Sequence, residues 1–397
     1  MKKTIRYTLL SLLSIFILLN LIILISGKGY LYKGISATYL RGQSGPGIYD
    51  TAVFYNAEIA TDNVDNWNYS LRRNILLETE KKMLSEVKTT SFLVVHSGRI
   101  LLEEYFENHT EFTRSNSFSM AKSIVALLIG IMKDEGVIKS LDDPISDYLP
   151  HIDDSYVTIR HLLAMTSGMQ WDESGKNPLS DNAAAYYGKN IEEMMRNAVF
   201  SYYPDKKFYY ASGNTQMLAK ILFRATGQKV SELAETYIWQ KIGAEKNALW
   251  SLSKKGGMEK AFCCFYATTR DFARIGQLIL NNGKWNNQTI IQEETLNELT
   301  NHSTSLGGDI INHRYGLHFW IVDHPEHKIV YARGILGQYI IVIPDLDVVI
   351  VRTGHERKDK FSVPLAKDGK KPENFYLDDH PEDLFEYIAI AKRILRN

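Results

Sequence analysis

Between Ser123 and Met132 the chain reads Ser-Ile-Val-Ala-Leu-Leu-Ile-Gly-Ile-Met, an apolar run without a single charged residue. A helix that is apolar all round has to be buried all round, so this run predicts a central helix that the rest of the fold must wrap. Directly before it stand Ser119-Met-Ala-Lys122. On a helix, residues three apart share a face with their Cβ atoms about 5–6 Å apart, so the serine hydroxyl and the lysine amine can share a proton. Serine is a weak nucleophile without such a neighbour, and burial disfavours the charged lysine, lowering its pKa towards that of a useful base. The polar stretch Thr113-Arg-Ser-Asn-Ser117 reads as a loop and puts the pair at the helix N-terminus. There the free backbone N–H groups and the dipole favour developing negative charge. Ser119 is thus a candidate nucleophile and Lys122 its base; the alternative is a serine in the first turn of an ordinary core helix.

The spacing alone is common. Ser85-Glu-Val-Lys88 and Ser251-Leu-Ser-Lys254 repeat it, but the first closes a charged stretch and the second runs into Gly256-Gly257, a turn. Neither has an apolar run behind it.

At the N-terminus, Lys2, Lys3 and Arg6 precede an uncharged apolar segment from Thr8 to Ser26, long enough to cross a bilayer. No Ala-x-Ala site follows, so residues 1–27 are expected to be an uncleaved single-pass anchor with the remainder outside the cytoplasm; a cleaved secretion signal is the alternative. Residues 28–49, with the turn-rich Arg41-Gly-Gln-Ser-Gly-Pro-Gly47, are read as a linker. The rest is globular: 397 residues, 45% hydrophobic and 23% charged, suffice for a large core or two subdomains. Net charge is zero and no basic stripe appears, which argues against a nucleic-acid partner. Cys263 and Cys264 are adjacent, cannot staple distant segments, lack the further ligands of a zinc site, and are read as two small buried side chains.

A charged periodic stretch from Leu71 to Lys88 predicts an amphipathic helix, and Ser91–Phe106 a hairpin turning at Ser97-Gly98. From Asp142 to about Trp250 the pattern is helical and loop-rich. Strands return at His313–Val322, His327–Ala332, Gln338–Ile343 and Asp347–Val351, and a closing helix runs from about Asp383 to Leu395. Short turns between late strands predict an antiparallel sheet. The expected class is α/β (α+β), with the sheet domain assembled from 50–138 and 251–397 and a helical subdomain at 139–250 inserted between them. The junction would form a cleft.

A second chemical segment is Phe208-Tyr-Tyr210-Ala-Ser212-Gly-Asn214-Thr, leading into an amphipathic helix with Ser212 or Asn214 as its N-cap. With it, the order of segments becomes recognisable. Ser119-x-x-Lys122, Thr158–Gly168, Tyr210-Ala-Ser-Gly-Asn214-Thr and Ala332-Arg-Gly-Ile-Leu-Gly-Gln338 together resemble the serine β-lactamase-like hydrolases. Within them the chain is similar to the class C β-lactamase, esterase and 6-aminohexanoate-dimer hydrolase branch. Trp171-Asp-Glu173, Ala267–Gly276 and Tyr315–Trp320 add to the likeness.

The resemblance implies a β-lactamase/DD-peptidase-like fold and an acyl-enzyme. Ser119 would be acylated, Lys122 would take its proton or stabilise the ionised partner, and Tyr210, as phenolate or phenol, would relay the proton to the leaving group and then activate water. Lys122 beside the phenol would lower its pKa, and Tyr209 is the alternative if the register is one residue off. The family's third motif is Lys-Thr-Gly or His-x-Gly, whereas the equivalent here is Arg333-Gly334-Ile335. A backbone N–H near Gly334 or Ile335, with that of Ser119, would form the oxyanion hole; Arg333 either holds a substrate carboxylate or is an ordinary strand-end arginine. Two decoys for this motif are His96-Ser-Gly98 and Arg352-Thr-Gly354. Ser212, Asn214 and Trp171 are further candidates for substrate contact. Tyr186-Tyr187 and Trp171 either line an aromatic pocket or pack in the core; Asp172 and Glu173 either face the cleft or, by default, are surface carboxylates, and His161 is read as a helix histidine rather than a triad member. Elbow, zincin, Walker and dinucleotide signatures do not occur. The expectation is a cofactor-free, metal-free membrane-anchored serine hydrolase acting on a small-molecule or peptide-like amide or ester. Its alternatives are a penicillin-binding-like sensor that acylates without turnover and a silent envelope scaffold.

Overall fold

The computed structural model describes residues 2–71, 74–152, 156–201, 203–301, 305–307, 310–365 and 370–396. Among the described residues, seven strands form the main sheet, in the spatial order Trp320–Asp323, Lys328–Gly334, Gln338–Ile343, Val348–Gly354, Thr89–His96, Arg99–Tyr105 and Asn68–Tyr69. Both ends of the chain therefore meet in one sheet, across the antiparallel pairing of Val348–Gly354 with Thr89–His96. All neighbours are antiparallel except the two-residue outermost pair, Asn68–Tyr69 on Arg99–Ile100. The hairpin turns at Ser97 and Gly98, both at positive φ (49° and 70°), the backbone that a tight two-residue hairpin loop requires.

Alternation along the strands divides two cores. Leu93, Val95, Ile340, Val342, Val349 and Val351 face one, and Phe92, Val94, Ile341, Ile343, Val348 and Ile350 the other. The helix Thr269–Leu280 covers the first face so closely that a Cβ at Gly276 would sit 2.4 Å from Val349. The closing helix Glu382–Arg396 covers the second with Leu384, Tyr387, Ile388 and Ala391. Between Ile145 and Trp239 the described elements are all helical, from Ile145–Asp147 to Glu235–Trp239. The central helix is Ala121–Asp134, buried at every residue from Ala121 to Met132.

Several boundaries differ from the sequence reading. The helix expected over 71–88 is Glu78–Glu86, with 72–73 outside the described residues. Of the strand expected over His313–Val322, only Trp320–Asp323 forms, because the segment before it is tied by single backbone bonds such as His318 N–H to Leu163 O rather than by a ladder. The stretch read as a linker contains a helix, Tyr30–Ala37, packed on the helix Asp181–Tyr187: the Tyr187 ring lies 3.4 Å from where a Gly34 Cβ would be, and Tyr30 Oη donates to Pro178 O at 3.2 Å. Ahead of it, Lys2–Ile25 is a helix whose span from Lys3 to Ile25 is long and apolar enough to cross a membrane, with no part of it buried in the protein.

Candidate active site

A second sheet, of four short strands, sets the nucleophile candidate in place. Its order is Tyr55–Ile59, Ala248–Leu252, Phe265–Ala267 and Ser115–Asn116. The last of these pairs Asn116 with Tyr266, and Ser117 N–H then donates to Phe265 O at 2.7 Å. The chain turns sharply at Phe118, whose φ of 44° is left-handed and costs an aromatic residue on the order of 1–3 kcal/mol. Burial of the ring and a bond from Phe118 N–H to Asn116 Oδ1 at 2.9 Å hold it there. A short 3-10 turn, Phe118–Met120, then feeds the central helix and leaves Ser119 half-buried at its start.

Lys122 follows one turn later and is almost wholly buried. Its Nζ donates to Ser119 Oγ at 3.1 Å, Ser212 Oγ at 3.0 Å and Phe262 O at 2.9 Å. Burial lowers its pKa to about 8, against an opposing pull from the Glu173 carboxylate.

Tyr210 lies against the same amine, with Lys122 Nζ 5.1 Å from its ring centroid. The ring is stacked on Trp320 and edge-on to Tyr315, and the Ser119 hydroxyl is a hydrogen-bonding neighbour of its phenol. The sequence reading expected the phenol pKa to be lowered; it is raised, because burial outweighs the help from Ser119 and Arg333 and Glu173 adds a repelling charge. Tyr209 faces elsewhere, with its Oη donating to Trp171 O at 2.9 Å.

Ser212 and Asn214 are not the N-cap of their helix. The helix is Ser212–Thr226, its N-cap position is Ala211, and no side chain of that residue caps it. Glu173 does the capping from another segment: Oε2 accepts from Ser212 N–H at 2.7 Å and Oε1 from Ser212 Oγ–H at 2.6 Å. A carboxylate at a helix N-terminus is also favoured by the dipole. Trp171 Nε1 donates to the same Oε2 at 2.8 Å, so the buried indole orients Glu173. Glu173, read as a surface carboxylate, is half-buried beside the Ser119–Lys122 pair. Asn214 was a candidate for substrate contact, but it is buried, accepts from Ser167 Oγ at 2.6 Å and contacts Met165 Sδ with its amide. Its side chain serves the loop beneath the site.

The end of the strand Lys328–Gly334 closes the other side. A Cβ at Gly334 would lie 2.3 Å from Ser117 O and 3.1 Å from Phe118 Cβ, so only glycine lets this strand approach the serine turn. Ile335 beyond it is exposed. Arg333 is no free strand-end arginine: its guanidinium lies 3.4 Å from the Trp320 ring centroid and donates to Asp379 O at 3.1 Å. Tyr186 and Tyr187 pack edge-on against each other, and Tyr186 also against Phe54. Cys263 and Cys264 are buried as expected but joined to each other as a disulfide, directly after the Phe262 carbonyl that receives Lys122.

Residues 79–365 match the sequence family described as Beta-lactamase. The 6-aminohexanoate-dimer hydrolase of Paenarthrobacter ureafaciens is 27% identical over 217 residues, 51% of this chain and 55% of that enzyme. This chain thus matches about half the length of that relative. Penicillin-binding protein 4* of Bacillus subtilis (strain 168) is 26% identical over 170 residues, 40% of this chain and 37% of that protein. Among solved structures, the one described as "Putative 6-aminohexanoate-dimer hydrolase from Bacillus anthracis" superposes with a TM-score of 0.72 at 23% identity, covering 88% of this chain and 94% of that one. The mixed sheet-and-helix architecture is shared with it.

Proposed function

The chain belongs to the Beta-lactamase family of hydrolases, and from that premise we propose that it cleaves an amide or ester bond through an acyl-enzyme on Ser119. The observation that carries this reading is the contact of Lys122 Nζ with Ser119 Oγ at 3.1 Å, by an amine whose pKa burial has brought down to about 8. An amine of that pKa is neutral in roughly a tenth of molecules at pH 7, several hundred times more than an ordinary lysine, and is a competent base.

In the first half-reaction Ser119 Oγ attacks the acyl carbon and its proton passes to Lys122 Nζ. The oxyanion is received by the backbone N–H groups of Ser119 and of the Gly334–Ile335 end of the strand Lys328–Gly334. Tyr210, kept as the neutral phenol by its raised pKa, donates its proton to the departing amine or alkoxide as the bond to the acyl carbon breaks. It recovers that proton from the Lys122 ammonium. Water then attacks the acyl-serine, gives up a proton to the same relay and restores Ser119 Oγ–H. Arg333, fixed on Trp320 and Asp379, is suited to a carboxylate on the substrate. The 6-aminohexanoate dimer named for the Paenarthrobacter relative is an amide with such a carboxylate, and compounds of that kind are the substrate class we propose. Trp171 and Ser212 support the relay rather than the substrate. The apolar helix Lys2–Ile25 serves as a single-pass anchor, with the hydrolase outside the cytoplasm.

The test is labelling of Ser119 by a fluorophosphonate together with steady-state release from a p-nitrophenyl ester and from a 6-aminohexanoate dimer. Labelling with turnover is the expected result. Labelling without turnover points to a sensor, and absence of labelling in the wild-type protein overturns the reading.

A further inference from the structure

We propose that Glu173 is a positioning residue that sets the direction of the Lys122 lone pair, acting through the Ser212 hydroxyl; the inference rests on the Ser119 acyl-enzyme reading above. Among the described residues, Lys122 Nζ has three hydrogen-bond neighbours: Ser119 Oγ, Ser212 Oγ and Phe262 O. As an ammonium it donates to all three. As a neutral amine it has two N–H groups and one lone pair, and it is a base towards Ser119 only if that lone pair faces Ser119.

A carbonyl can only accept, so Phe262 O claims one N–H. A hydroxyl is ambiguous, since Ser212 Oγ can accept from the amine or donate to its lone pair, and donation would turn the base away from the nucleophile. Glu173 removes the ambiguity. Its Oε1 takes the Ser212 hydroxyl proton at 2.6 Å, leaving Ser212 Oγ only acceptor capacity towards Lys122. Its Oε2 is itself fixed by the Ser212 and Trp171 N–H groups at 2.7 Å and 2.8 Å, so the carboxylate cannot rotate away. Both N–H groups of the neutral amine are thereby assigned, and the lone pair is left for the Ser119 proton.

The decisive substitution is Glu173→Gln, which keeps the shape. Two N–H donors converge on the Oε2 position, so the amide turns its oxygen there and its NH₂ towards Ser212 Oγ. The Ser212 proton then swings onto Lys122 and the lone pair points away from Ser119. Plateau kcat/KM on a p-nitrophenyl ester is expected to fall about tenfold or more, in kcat rather than KM. The carboxylate also raises the Lys122 pKa, so the acidic limb of the pH profile is expected to move to lower pH in the same variant. Ser212→Ala removes the intermediary, and adding Glu173→Gln to it should then cost little more of the plateau. Glu173→Asp is expected to restore part of the loss.

An unmoved or raised limb in Glu173→Gln, an unchanged plateau, or independent multiplication of the two losses overturns the inference. If wild-type Ser119 is labelled and turns over while any of these is found, only the role of Glu173 falls. If wild-type Ser119 is not labelled, the acyl-enzyme reading itself has failed.

Discussion

Two buried lysines occupy matching surroundings in different parts of this molecule, and only one of them is arranged for chemistry. Lys122 and Lys260 are both almost fully excluded from solvent, and each holds its Nζ 5.1 Å from an aromatic centroid, Tyr210 for the first and Phe54 for the second. Burial lowers both pKa values, that of Lys122 to about 8 and that of Lys260 well below the ordinary lysine range. The partners differ. Lys260 donates to two backbone carbonyls at the end of the helix Asp181–Tyr187, Ala185 O at 2.8 Å and Gly188 O at 3.2 Å. It closes a helix C-terminus, and neither carbonyl has a proton to give. Lys122 instead meets two hydroxyls, one of them the half-buried Ser119, under a ring that carries its own O–H. Desolvation makes a lysine a base; a proton donor reachable from solvent gives that base something to act on.

The comparison breaks most sharply at the two amines. Lys122→Met is expected to lower kcat/KM about 10³-fold or more and to slow fluorophosphonate labelling of Ser119 equally, while Lys260→Met stays within about twofold of wild type. A comparable loss in both would show that the amines matter only as packing. Tyr210→Phe makes the Lys122 site resemble that of Lys260, and should cost about 10²-fold in kcat, with circular dichroism unchanged. Next comes pH: because the working form of Lys122 is neutral, kcat/KM of the wild type is expected to rise about tenfold per unit below pH 8 and to level off above it. A profile already flat from pH 6 would contradict a base of this pKa.

The smallest expected effect is on stability. For Lys260 the folded pKa is lowered, so between that value and the ordinary 10.5 the unfolded chain binds more protons and stability rises with pH. Below the folded value both states are charged and the full desolvation penalty applies. Lys260→Met removes that penalty, and urea midpoints are expected to place it about 1 kcal/mol above wild type at pH 7, the gap closing towards pH 10.5. A variant less stable at every pH would mean that the two carbonyl bonds outweigh the buried charge.

How much of this was legible follows the range of the interactions. The strands at 338–354, the closing helix and the central helix are marked by their own apolar residues, the segments at 119–122 and 210–214 stood out by their chemistry, and 332–338 through the family resemblance. The four-stranded sheet that turns Ser119 outward did not, since its strands are two to five residues long and Tyr55 pairs with Leu252. No local pattern marks so short a strand with so distant a partner. Glu173 could face the cleft on the sequence reading, but was assigned to the surface because a carboxylate is exposed by default; its place in Trp171-Asp-Glu173 puts the indole that fixes it two residues away. The phenol of Tyr210 was expected to feel chiefly the neighbouring amine, but the Trp320 and Tyr315 rings that help to desolvate it come from segments more than a hundred residues further on.

By itself the sequence determined the chain's family and the serine and lysine that face one another, because a helical turn fixes that spacing whatever surrounds it. It also determined that an antiparallel sheet would form near the C-terminal end. Only the tertiary structure decided how those groups behave. Whether an amine is neutral, which way a hydroxyl points and whether a carboxylate reaches the site depend on desolvation and on partners from remote segments, and these quantities exist only once the chain has closed on itself.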